Sequence, residues 1–123
     1  RHNNVLQRFL SLRDHLWFCF IPDGAHVEFF ALQNYLDLVG IAHAIMTTDA
    51  ISAAKLGPGL HEISGMSVEV DEDGVARRPG SPNLAGSTIT MPDIRQNLSE
   101  SLGLSDAEVA SLVDFNPRTA LDL

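Results

Sequence analysis

The run Ala44-Ile-Met-Thr-Thr-Asp-Ala-Ile-Ser52 constrains this chain more than any other stretch. It opens as a short apolar segment with the β-branched content of a buried strand and ends on the carboxylate of Asp49. Small residues and the loop Gly57-Pro-Gly59 follow. Unbroken apolar runs of this length suit parallel strands covered on both faces. α/β proteins place their reactive groups at the carboxyl ends of such strands. A carboxylate there loses hydration, so it needs a partner, a metal or a reaction that uses it. Phe18-Cys-Phe-Ile-Pro-Asp-Gly-Ala-His26 repeats the design, an apolar strand that stops at Pro22-Asp-Gly24 and delivers His26.

Around these two stretches the pattern alternates. Val5, Leu6, Phe9, Leu10 and Leu12 fall at helical spacing and predict an amphipathic helix over residues 3–14. A strand is expected at 16–21, a helix over 29–39 closed by Gly40, and a second strand at 41–48. Short strands are expected at 60–63 and 66–70, a Gly-bearing turn at Asp71-Glu-Asp-Gly74, and a return strand at 75–77. Helical character resumes from Ser87, with Met91, Ile94, Leu98 and Leu102 on one face and Gly103 at the end. Ser105 and Glu108 form a capping box for a helix to about 113, and Asn116-Pro117 starts a last helical turn.

The reading is α/β, a single domain over residues 1–123 with a β-hairpin inserted at about 60–78. Two parallel strands cannot close a barrel or make a well-covered sheet. The remaining strands are therefore expected outside this chain, or the piece needs a partner. The chain also begins on Arg1 and not on Met, as expected for part of a longer protein.

A net charge of −8, with the basic residues scattered, argues against a nucleic-acid partner, because phosphate binding needs clustered Lys and Arg. The single cysteine, Cys19, excludes an internal disulfide and fits a reducing cytoplasm. Inside an apolar strand it reads as a buried small hydrophobe. No apolar run approaches the ~18 residues of a membrane span, and no signal-peptide pattern opens the chain.

Asp49 is the leading candidate for chemistry. Asp also commonly caps the turn after a strand, and position alone leaves the two readings level. The small residues Ala50, Ser52, Ala53 and Ala54 leave space for a ligand, which favours function. His26 should leave the same end of the sheet, where its imidazole could meet a hydroxyl, a carbonyl or a phosphate. His2, His15, His43 and His61 show no metal-ligand spacing, and no complete metal site can be read in the chain. Leu84-Ala-Gly-Ser-Thr88 enters a helix as a small-residue loop. Such a loop can receive an anion on free N–H groups, or it can simply cap the helix.

Five motifs then occur in order: Pro22-Asp-Gly-Ala-His-Val27, Thr48-Asp-Ala50, the hairpin from Gly65 to Arg77, Leu84-Ala-Gly-Ser-Thr-Ile-Thr-Met91, and Asn116-Pro-Arg-Thr-Ala-Leu121. The series resembles the C-terminal part of N-acetylglucosamine-6-phosphate deacetylases of the amidohydrolase superfamily, from about Trp17 to the end. The resemblance implies strands seven and eight of a (β/α)8 barrel with their helices, the upstream barrel half and the β-sandwich being absent. It implies a metal-dependent hydrolase that releases acetate from N-acetylglucosamine 6-phosphate in the cytoplasm, acting as a homodimer when full-length. Asp49 matches the family's catalytic aspartate, near or on a divalent metal, zinc or iron. His26 matches a substrate-binding histidine, and Ala85, Gly86 and Ser87 match a segment beside the substrate. The family's ligand Glu and two ligand His come from earlier strands that are not in this sequence, so the chain alone is expected to be inactive. Pro22 stands where Ala is usual. A different amidohydrolase and a non-catalytic half-barrel module are the alternatives.

Overall fold

The computed structural model describes residues 4–123. The expected helical position 3 and His2 lie outside the described residues. The first helix, α1 (Val5–Leu10), is capped by the Asn4 side chain, which accepts the Leu6 N–H at 2.9 Å. It ends earlier than the sequence pattern implies, and residues Arg13–His15 form a 3-10 turn. None of its residues is buried, and Val5 and Phe9 stand exposed. Leu10 at its end packs against the main core while the rest of the helix is not held by it, so tertiary contacts do little to lengthen it.

β1 (Phe18–Phe20) and β2 (Ala44–Met46) pair in parallel, Phe18 opposite Ala44 and Phe20 opposite Met46. The Thr47 N–H extends the ladder to the Phe20 carbonyl at 2.9 Å. Between them α2 (Phe29–Val39) makes the crossover and buries Leu32, Leu36 and Val39. Both strands are shorter than expected, and residues Ile41–His43 wind into a 3-10 turn instead. The expectation of a doubly covered first strand is corrected: no residue of β1 is fully buried and Cys19 is exposed, because Phe18 and Phe20 pack on the core while nothing among the described residues covers the opposite face at Cys19.

Residues 59–77 fold as expected of an inserted hairpin region. β3 (Gly59–Ile63), β4 (Met66–Val70) and β5 (Ala76–Arg77) form an antiparallel sheet. Ser64 and Gly65 both take positive φ, which matches a two-residue hairpin turn to the strand twist. At the next turn the Asp71 carboxylate accepts the Val75 N–H at 2.8 Å and the Arg77 guanidinium at 2.6 Å. Val68, Val70 and Ala76 close with Ala53 into a small satellite core.

α3 (Met91–Leu102) starts later than Ser87, because residues before it run extended beside the end of β2. Thr90 and Asp93 form its capping box and Gly103 ends it in the left-handed region. α4 (Asp106–Ala110) carries the expected Ser105–Glu108 box. It continues through a π-helical turn, Ser111–Phe115, into α5 (Asn116–Ala120). Leu32, Leu36, Ala44, Met46, Ile94, Leu98, Val109 and Leu112 form the main core between α2, β2, α3 and α4. Burying each large aliphatic side chain there stabilises the fold by roughly 1.5–3 kcal/mol. Among the described residues no helix is long and apolar enough to cross a membrane.

Candidate functional site

Asp49 follows β2 by three residues and takes φ 46°, a left-handed conformation that Asp tolerates better than most side chains. Its carboxylate does not cap the turn. That role falls to Thr48, whose hydroxyl accepts the Ala50 N–H at 3.3 Å. Among the described residues the Asp49 side chain accepts no hydrogen bond, and the residue is exposed. A non-glycine residue in this conformation, without a local role for its side chain, marks a position worth testing for function.

The Asp49 backbone gathers the second motif. Its carbonyl accepts the Ser87 N–H at 3.0 Å, and the Ile51 N–H donates to the Ser87 carbonyl at 2.9 Å. This parallel bridge lays the 84–88 loop alongside the end of β2. At Gly86, φ is 86° and an added Cβ would stand 2.6 Å from Ile51 Cγ2 and 3.9 Å from the Asp49 Oδ2. Only glycine fits there. The expectation of free amides is corrected at two positions. The Ala85 N–H donates to the Ala76 carbonyl at 2.9 Å, and the Ser87 N–H is held by Asp49. Ser87 itself is buried, its hydroxyl accepting the Ile89 N–H at 2.9 Å.

His26 leaves the same end of the parallel pair as Asp49, six residues beyond β1. Its surroundings are set by Asp23. One Asp23 oxygen accepts the N–H groups of Ala25 at 2.9 Å and His26 at 2.8 Å, and the other lies 2.7 Å from His26 Nδ1. The turn is then fastened to α3 by the Asn97 amide, which donates to the Pro22 carbonyl at 2.9 Å. The structure thus brings Asp49 together with Ala85–Ser87. His26 shares their end of the sheet, in contact with Asp23.

Sequence reasoning passed over Asn97 and read Asn116 only as the start of a helical turn and of the last motif. Asn116 is buried and donates to the carbonyls of Ile41 and Ala44, both at 2.7 Å, fixing the approach to β2. For Asn97 the available signal was a polar residue beside the core position Leu98.

A cleft of about 330 Å³ opens nearby, lined among others by Asp23, Lys55, Asp71, Thr88, Asp93 and Asn97. Neither Asp49 nor His26 lines it. On its wall Lys55 Nζ sits 2.9 Å from an Asp93 oxygen. The Thr90 hydroxyl, Lys55 and the Thr90 N–H together hold the Asp93 carboxyl down at about 2. An apolar hollow of about 510 Å³, lined by Ile51, Ile63, Met66, Val68 and Leu84, lies behind Ala85.

Among the described residues no group of three His, Cys, Asp or Glu side chains comes together to hold a metal ion. Asp49 is a single carboxylate without a second ligand. The described residues therefore do not fit a complete metal centre.

A parallel βαβ unit with a carboxylate and an imidazole past its strand ends is an α/β fold whose candidate site lies at the carboxyl edge of the sheet. The comparisons are more specific. No family model matches the sequence. The chain is similar to N-acetylgalactosamine-6-phosphate deacetylase of Escherichia coli O157:H7, 29% identical over 105 residues. It is equally similar to N-acetylglucosamine-6-phosphate deacetylase of Lysinibacillus sphaericus, 29% identical over 103 residues. Among solved structures, the N-acetylglucosamine-6-phosphate deacetylase of Thermotoga maritima superposes with a TM-score of 0.85 at 28% identity, covering 97% of this chain and 32% of that one. The Mycobacterium smegmatis enzyme, in complex with N-acetyl-D-glucosamine-6-phosphate, gives a TM-score of 0.82 at 26% identity, over 93% of this chain and 31% of that one. The resemblance carried by the five motifs is thus supported over nearly the whole chain. The chain covers 85% and 84% of its own length in the two sequence matches, but 27% and 26% of those relatives. A shorter homologue from Escherichia coli (strain K12) is spanned for 61% of its length.

Proposed function

We propose that this chain supplies the seventh and eighth strands, and one half of the reactive site, of a deacetylase acting on N-acetylated hexosamine 6-phosphates. The observation that carries the reading is Asp49. Its carboxylate stands at the carboxyl end of a parallel strand, in a left-handed conformation, free of the capping role that would explain it otherwise. An exposed carboxylate so placed can accept a proton from the water that attacks the acetyl carbonyl and return it to the departing amine. His26 contacts the bound sugar-phosphate molecule from the neighbouring turn, at a hydroxyl or amide group of the ligand. The Ala85–Gly86–Ser87 segment is the wall beside Asp49, held there by backbone bonds and by the absence of a side chain at Gly86. A divalent metal, zinc or iron, would be held chiefly by ligands outside this sequence, with Asp49 near or on it, and would lower the pKa of the attacking water. Relatives named for both the gluco and the galacto substrate place both sugars among the compounds to try.

The test is complementation. The 123-residue chain is mixed with a full-length relative truncated to lack the matching region, and acetate release is followed from N-acetylglucosamine 6-phosphate and N-acetylgalactosamine 6-phosphate. The chain alone should release none. The mixture should be active, and Asp49→Asn should lower that activity by roughly 10²–10⁴-fold. Equal turnover with Asn at 49 would refute the assignment. Acetate release by the isolated chain would refute the half-site.

A further inference from the structure

The turn that presents His26 has a second charged residue to which neither the motifs nor the proposed reaction gives a role. Asp23 is largely buried, with 13% of its side chain exposed, and it makes three contacts within one turn. Oδ1 receives two backbone N–H groups, so it acts purely as an acceptor. Oδ2 faces His26 Nδ1 at 2.7 Å, and a carboxylate has no proton to offer. In the neutral ring the proton must therefore sit on Nδ1. Nε2 has no protein partner among the described residues, and no buried side-chain nitrogen or oxygen there lacks one, so Nε2 reaches solvent.

We infer that Asp23 is a positioning residue that locks His26 in its Nδ1–H tautomer, aims the ring, and leaves Nε2 as the single ligand-facing nitrogen. The physical reason is the asymmetry of the two carboxylate oxygens. The backbone fixes one, which fixes the direction of the other, and a ring hydrogen-bonded to it loses both its rotation and its choice of tautomer. In the neutral state Nε2 then accepts from a hydroxyl or amide N–H of the ligand, and it offers nothing to a phosphate oxygen. This last step rests on the reading of His26 proposed above. The Asp23–His26 geometry does not.

The test is a long-range proton–nitrogen correlation spectrum of the full ¹⁵N-labelled chain, taken where the titration curve of His26 shows a neutral ring. The expected result is an excess of the Nδ1–H form of roughly tenfold or more, the size of a hydrogen bond to a charged acceptor. In Asp23→Asn the side-chain oxygen stays with the two backbone N–H groups, so the NH₂ group faces Nδ1 and the proton should move to Nε2. A wild-type ring protonated on Nε2, or an even mixture, overturns the inference, and this outcome needs no folded variant. An unchanged tautomer in a folded Asp23→Asn variant overturns it as well. The spectrum does not depend on turnover. A failed complementation assay therefore leaves this result standing, and a wrong tautomer leaves the deacetylase reading standing.

Discussion

Gly86 and Asp49 approach so closely that no side chain can stand between them: a Cβ on Gly86 would lie 3.2 Å from the Asp49 carbonyl oxygen. The contact joins two segments 37 positions apart in the chain, through the Ser87 N–H to the same carbonyl. The conformation of Asp49 and the seat of the loop are thus one arrangement.

Gly86→Ala should therefore cost more than a glycine substitution in a turn usually does. The new methyl group meets Ile51 Cγ2 at 2.6 Å in a backbone conformation with φ 86°. Overpacking and the left-handed strain together predict a loss of about 2–3 kcal/mol. Urea unfolding should show a lower midpoint with the slope preserved, and an unshifted midpoint would show that the loop relaxes freely.

Asn116→Ala should be a severe change for a polar residue. It strips the carbonyls of Ile41 and Ala44 of a shared donor at a site 9% exposed. The Ile41 carbonyl keeps the Ala44 N–H, but the buried carbonyl of Ala44 loses its side-chain donor, which predicts a loss of about 1–3 kcal/mol and a lower Tm. Asn116→Asp, similar in shape but without the N–H donors, should do no better. Recovery of wild-type Tm by Asp would mean that the hydrogen bonds are not what holds this position.

Acid should loosen the Lys55–Asp93 contact in a definite window. The folded pKa of Asp93 lies at about 2 against an ordinary 3.8. A depressed carboxyl contributes stability above its unfolded pKa and loses it as pH falls toward the folded value. The contribution should fade between about pH 4 and pH 2, and high salt should reduce it, since the Asp93 side chain is 38% exposed. Asp93→Asn should flatten this limb of a stability–pH curve. An identical limb in the variant would assign the acid sensitivity to other carboxyls.

Cys19 should react with a thiol reagent in the native chain. It is the single cysteine and it is exposed on β1. One equivalent should label without denaturant, at a rate that urea raises little. Protection until unfolding would mean that something covers the β1 surface in solution.

The helix and hairpin positions were legible in the sequence where local rules decide them. Phe29–Val39 is where its apolar spacing put it, and the Ser105–Glu108 box and the Gly103 stop formed as written. Strand burial was not legible. An unbroken apolar run describes a strand covered on both faces, and β1 is covered on the Phe18–Phe20 face only, which left Cys19 exposed. The Ala85–Ser87 amides looked free because nothing local accepts them. Their acceptors, Ala76 and Asp49, are distant in the chain. Asp49 and His26 stood out as residues at strand ends, whereas the partner that orients His26, Asp23, was read only as part of a turn.

The two side-chain amides that fasten the sheet also bear on the order in which the molecule takes shape. Asn97 reaches Pro22 and Asn116 reaches Ile41, each across 75 positions. A ribosome adding roughly 5–20 residues per second completes β1 and β2 several seconds before it makes the residues that pin them. During that interval the His26 turn has its local Asp23 bonds but not the Asn97 bond that fastens it to α3. Contacts of such long sequence separation close late in folding. Chains shortened ahead of Asn97 should lose helical signal in α2, whose buried face packs on Ile94 and Leu98, and should hold the His26 turn through Asp23 alone.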